Sequence, residues 1–264
     1  MREANSSIPF PTEILTPQNS DLETYLLNLT KDKLPSYNEL KNPIQATRIE
    51  TYANWLSQLT QKDQNHYERG SVVHINTKNR QIIFPSNPNV GNDFSCLFDI
   101  SKKRETFLPT LHIHTHPEDS CFSHSDLRMF LSGYEDSKIE LFVPKAMLVS
   151  SLKFNFLILK SQETPLVVDE REVYDKSWIK YGTEAEYYQL AKYGVKKVGS
   201  FQPIEDAFNG FWGFYKTFAS TLKLAQEYKF GFYYSTKNGL YLPSTKNGLT
   251  KVIASILDDT ISTL

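Results

Sequence analysis

The stretch Leu111-His112-Ile113-His114-Thr115-His116-Pro117-Glu118-Asp119-Ser120-Cys121-Phe122-Ser123-His124-Ser125-Asp126 concentrates side chains that ligate divalent metals. The preceding Phe107-Leu108-Pro109-Thr110-Leu111, together with Ile113, suits an extended segment. Residues two apart on a strand point to one face, so His114 and His116 can grip the same cation. Pro117 cannot donate to a sheet ladder and ends the strand, and Ser123 suits the N-cap of a helix starting at about His124. That places Asp126 in the first helical turn. Two neutral imidazoles and one carboxylate leave a singly positive zinc with a fourth position for water, which the metal acidifies. His114, His116 and Asp126 are therefore the expected zinc ligands. His112 shares their face and reads as a half-buried histidine satisfied by a hydrogen bond, or as a second layer behind the ligands. Cys121, inside the same loop, reads as an ordinary loop thiol, with a fourth ligand position as the alternative. His124, in the first helical turn, is expected to face solvent.

Three stretches of chain must position this site. Residues 1–65 form an expected helical segment, with helices near Ser20 to Leu29, where Leu22, Tyr25, Leu26 and Leu29 make one stripe, and near Ile44 to Gln61. Residues 66–162 change character to α/β. There Ser71 to Asn76 and Gln81 to Phe84 suggest a hairpin, followed by the histidine strand, the Asp126 to Leu131 helix, and β-rich runs at Ile139 to Val143 and Ala146 to Leu159. The last run is long enough to bend or split. Pro85 to Asp93 is a Pro/Gly/Asn-rich connection. Residues 163–264 are aromatic-rich and mostly helical in spacing, including Tyr174, Trp178, Tyr181, Tyr187, Tyr188, Tyr193, Phe208, Phe211, Trp212, Phe214, Tyr215 and Phe218. Core packing is the first reading of those rings and a partner surface the second. Asn238-Gly239 between Phe232-Tyr233-Tyr234 and Leu240-Tyr241-Leu242 signals a hairpin, and Lys251 to Leu264 a terminal helix.

The pattern His114-Thr115-His116-Pro117, five residues, Ser123, two residues, Asp126 resembles the signature of the JAMM (MPN+, JAB-domain) zinc metallopeptidases, many of which have six residues between the proline and the serine. The resemblance covers roughly Tyr67 to Lys160 and is similar in kind to bacterial deubiquitinase-like members. It implies an α/β (α+β) fold, a JAMM/MPN-like mixed sheet flanked by helices, to which the N-terminal helical and C-terminal mostly helical stretches are extensions. It also implies a glutamate on an upstream strand as general base. Glu68, opening the β-prone run Glu68-Arg69-Gly70-Ser71-Val72-Val73, is the preferred match; Glu105 in a charged turn and Glu50 in an expected helix compete. By that resemblance Glu68 takes a proton from the activated water and delivers it to the leaving amine. Ser123 would then either cap the helix or donate to the oxyanion of the tetrahedral intermediate.

Composition narrows the function classes. The 264 residues carry 29 Lys and Arg against 30 Asp and Glu, a net charge of −1, so no global field invites nucleic acid or an anionic membrane. Two cysteines without CxxC spacing fit a reducing compartment rather than a disulfide framework. No apolar run approaches the roughly 20 residues that span a bilayer, and Met1 to Ser7 lacks a signal-peptide core, so a cytoplasmic address is expected, or delivery to a host cell for an effector.

The resemblance thus leads to an expected zinc peptidase or isopeptidase that cuts the C-terminal tail of ubiquitin or a ubiquitin-like protein from a conjugate or precursor. The tail would be laid beside a sheet edge by β-augmentation. A processing protease for a toxin or carrier protein would share the site and differ in the bond cut. A metal-free interaction module is the third reading, against which the intact set Glu68, His114, His116 and Asp126 stands.

Overall fold

The computed structural model describes residues 8–15, 20–91, 107–118, 120–136, 139–181 and 216–245, with backbone alone at 134–136 and 139–142. The period-2 and period-3.6 stretches of the sequence become a mixed α/β structure. Its centre is a nine-stranded, mostly antiparallel sheet flanked by helices.

The strands in chain order are β1 (Ile44–Gln45), β2 (Arg69–Asn76), β3 (Gln81–Ile83), β4 (Asn89–Val90), β5 (Phe107–Thr115), β6 (Tyr134–Asp136), β7 (Ile139–Phe142), β8 (Ala146–Ser150), β9 (Asn155–Leu159), β10 (Gly231–Ser235) and β11 (Leu240–Pro243). The main sheet runs β1-β11-β10-β9-β8-β5-β2-β3, with β4 also on β2, while β6 and β7 pair separately. Its neighbours are antiparallel except β5 and β8, which run parallel. A parallel pair needs a crossover, and here the crossover carries the Pro117 to Ser123 loop and helix α3 (His124–Ser132). The β-rich run Ala146 to Leu159 splits into β8 and β9, which pair with each other.

Alternation along β5 sorts its side chains between two cores. Leu111 and Ile113 enter a cluster with Ile49, Tyr52, Ala53, Leu56 and Leu59 of helix α2 (Thr47–Lys62) and Leu22, Leu26 and Leu29 of helix α1 (Asp21–Leu29). The sheet's opposite face, with Met147, Val149, Phe156 and Ile158, packs on Phe122, Leu127, Phe130 and Leu131 of the α3 region and on Phe218, Leu222 and Ala225 of a helix over 216–228. Pro109 inside β5 cannot donate to the ladder. The register slips there by one residue, Leu111 opposing Val73 and Pro109 opposing His74, and the extra Thr110 bonds its hydroxyl to the Val73 carbonyl.

One expectation needs correction. The helix anticipated from Ile44 begins at Thr47, because Ile44 and Gln45 pair with Tyr241 and Leu240 of β11 and the Ala46 amide bonds the Gly239 carbonyl. Tertiary pairing overrides local helical spacing there. The hairpin expected around Asn238-Gly239 forms as β10 and β11, which lie within the central sheet, between β9 and β1. Strands from all three sequence stretches therefore share one sheet. Glu105, Cys96, the rings from Tyr187 to Tyr215 and the terminal helix expected at Lys251 to Leu264 lie outside the described residues. Among the described residues, no helix is long and apolar enough to cross a membrane.

Candidate metal centre

The C-terminal end of β5 and the N-terminus of α3 meet on the α3 side of the sheet. His114 and His116 leave β5 on that face, and Ser123 caps α3 so that Asp126 occupies its first turn. The three side chains converge: His114 Nε2 lies 3.1 Å from His116 Nε2 and 3.1 Å from Asp126 Oδ1, and His116 Nε2 lies 3.7 Å from Asp126 Oδ2. One donor atom from each falls within 4.8 Å of the others, and all three residues are buried. Tetrahedral metal–ligand bonds of roughly 2.0–2.1 Å put neighbouring donors about 3.3 Å apart. The donor types, spacing and burial therefore fit one divalent ion, with protein on three sides of it.

The neighbours of these groups fix their orientation. Asp126 Oδ2 accepts the Ser123 amide and hydroxyl, each at 2.7 Å, while the Ser123 oxygen accepts the Asp126 amide at 3.2 Å. This reciprocal capping box holds one carboxylate oxygen and leaves Oδ1 facing His114. His116 presents Nε2 to the cluster and its Nδ1 to the Ser120 hydroxyl at 2.7 Å. A metal-binding imidazole is commonly oriented through its second nitrogen in this way. Ser120 was not singled out from the sequence, where it is one polar residue in a loop of several.

Charge coupling in the cluster is strong. Burial alone would raise the Asp126 carboxyl, but His114 beside it, then His116 and Ser123, hold it well below the usual carboxylate range. Burial opposes protonation of His114, yet Asp126 and next Glu68 lift it above its ordinary value. Burial and the neighbouring His114 push His116 down to about 4. Such a set favours a cation shared among the ligands.

Glu68 belongs to this neighbourhood. It directly precedes β2, in which Gly70 opposes His114 and adds no side chain on that face. Strand alternation from Gly70 turns Glu68 to the metal side, and its carbonyl accepts the Gly91 amide. Its carboxyl is buried, which pushes its pKa up to about 7, with His114 lowering and Asp126 raising it. Glu50 is differently placed. Its buried carboxylate accepts from Ser235, Asn155 and the Gly239 amide, fastening the β10–β11 turn to α2.

The remaining sequence candidates separate. His112 is fully buried rather than half-buried, pairing in register with Val72 and Met147, and burial together with His114 and His74 pushes it down to about 3. Cys121, read as an ordinary loop thiol, is buried. It sits in the apolar cluster with Phe122 and Phe130, burial pushes its thiol well up, and it lies outside the ligand group. His124 does not simply face water; its ring packs against Tyr174 and Trp178, at 5.7 and 5.5 Å between centroids, because helix α4 (Glu170–Tyr174) and its continuation cross beside α3.

No family model matches this chain, and no curated protein or solved structure does either.

Proposed function

We propose that the chain is a zinc peptidase or isopeptidase of JAMM type, acting on the C-terminal tail of ubiquitin or a ubiquitin-like protein. The observation that carries the reading is the buried convergence of His114, His116 and Asp126, with the buried Glu68 carboxyl electrostatically coupled to His114 and Asp126. Zinc in that position would supply a Lewis acid to polarise a scissile carbonyl and lower the pKa of water. His114 and His116 would hold the ion through Nε2, and Asp126 would hold it through the oxygen that Ser123 does not engage. Glu68, with a pKa lifted near neutrality by burial, is suited to accept a proton from water and release it to a departing amine. Ser123 serves Asp126 in this geometry; for its hydroxyl to meet an oxyanion it would have to leave Asp126 Oδ2, from which it is 2.7 Å away. The ubiquitin-like tail as substrate follows from the motif's resemblance, which also supports the JAMM-type reading of the fold.

The test is mass spectrometry of new peptide C-termini in cell lysate treated with zinc-loaded wild type or Glu68→Gln. New termini at a Gly-rich tail with the wild type alone support the proposal. Termini elsewhere point to a processing protease. Identical profiles from the two proteins, each with zinc bound, reject Glu68 as base and the peptidase reading with it.

A further inference from the structure

The last turn of α2 grips both halves of the site from the sheet's opposite face. Thr115 lies between the two histidines, so alternation turns its side chain away from them and toward α2. There its hydroxyl meets that of Thr60 at 2.6 Å, and both residues are fully buried. Thr115 Oγ1 also accepts the Arg69 amide at 2.8 Å. Arg69 follows Glu68 directly, and its guanidinium forms an ion pair with Asp63, the residue that closes α2. Gln61 Nε2 donates to the carbonyl of Pro117, just past His116, at 3.1 Å. One helical turn thus touches the chain after Glu68 and the chain after the second histidine.

We infer that Thr115 and Thr60 are positioning residues: through the Arg69 amide they fix where the Glu68 carboxyl stands relative to His114 and His116. The inference deepens the peptidase reading and rests on it for its catalytic part. The physical reason is the place of residue 68 just before β2, where the Gly91 amide holds its carbonyl from the β4 side and the Thr115 hydroxyl holds the next amide from the β5 side. A base displaced by about 1 Å can lose on the order of 10²-fold in rate. Thr115 supplies an acceptor to the first amide of β2 from within β5 itself, so base and ligands share one anchor. Thr60 makes a second hydrogen bond to that hydroxyl, which helps keep its oxygen aimed at Arg69.

The test compares full-length, zinc-loaded Thr115→Val, Thr115→Ser and Thr60→Val with wild type. Val keeps the shape and loses the hydroxyl; Ser keeps the hydroxyl and loses a methyl. Three quantities are read: exchange of the Arg69 amide by NMR, zinc affinity by chelator competition, and hydrolysis of a fluorogenic amide of the ubiquitin C-terminus. Thr115→Val should speed Arg69 exchange and lower kcat, each by about tenfold or more, with KM and zinc affinity within about twofold of wild type. Thr115→Ser should restore all of these, and Thr60→Val should fall between. A packing role predicts the reverse order, Val active and Ser impaired, and would overturn the inference. Unchanged Arg69 exchange in Thr115→Val would also overturn it, as would a parallel loss of zinc affinity, which would mean that the hydroxyl serves the ligands rather than the base. Should Thr115→Val not fold, Thr60→Val carries the same comparisons. A wild type that leaves the fluorogenic amide intact counts against the proposed substrate alone, and the Arg69 exchange then decides whether the tether exists.

Discussion

Ser123 and Asp126 hold each other in both directions: the serine oxygen accepts the Asp126 amide at 3.2 Å, and its hydroxyl donates to Asp126 Oδ2 at 2.7 Å. The residue that starts the helix therefore also aims the carboxylate. Ser123→Ala should lose about 1 kcal/mol of stability from the missing cap and weaken zinc binding roughly 10-fold from a carboxylate left with the residue-123 amide alone on Oδ2. Thermal melts of the metal-free protein measure the first effect and chelator competition the second. A variant that loses stability but keeps its zinc affinity would show that the cap alone matters.

Ser120 orients His116 from the far side of its ring. Ser120→Ala should reduce zinc affinity by about 10- to 100-fold with little change in the metal-free melting temperature. Asp126→Asn keeps shape but removes the charge that would partly neutralise the ion, and should abolish stoichiometric zinc binding in elemental analysis. If Asp126→Asn retains one zinc per chain, the ligand set is wrong.

Glu68 gives the metal-free protein a defined pH dependence. Its folded pKa stands at about 7, above the unfolded value, so the folded state binds the extra proton between the two. Its contribution is fully present below the ordinary carboxylate range and is lost as pH rises through about 7. In the presence of chelator, wild type should therefore lose stability relative to Glu68→Gln across that window, by at most about 3 kcal/mol. Denaturant unfolding at several pH values reads the difference. A flat difference would place the carboxyl in water, away from the cluster.

Glu50 separates from Glu68 by the same means. Glu50→Ala leaves the Gly239 amide, Ser235 and Asn155 without their shared acceptor, and should destabilise the fold by about 1–3 kcal/mol while sparing zinc affinity. Loss of zinc with unchanged stability would reverse the assignment of the two glutamates.

Local signals were legible wherever a short-range rule governs. Ser123 caps the helix that starts at His124, Asn238-Gly239 turns β10 into β11, and His114 and His116 share a strand face. These depend on spacing of a few residues. Ile44 and Gln45 escaped because their strand exists only through β11, far away in the chain, and Ser120 because one hydroxyl in a polar loop carries no periodicity.

The sequence by itself determined the ligand types and their order, since strand alternation aligns His114 with His116 and helix capping sets Asp126 three residues beyond Ser123. Only the tertiary structure separated Glu68 from Glu50, since one carboxyl is electrostatically coupled to His114 and Asp126 while the other is taken up by the β10–β11 turn. Burial and charge, which raise Glu68 near His114 and Asp126, arise when β2 pairs with β5 across a separation of many residues. Antiparallel pairing of β2 with β5, and the α2 turn that holds Arg69, bring that carboxyl to the metal face while Glu50, on the same α2, is spent on the hairpin.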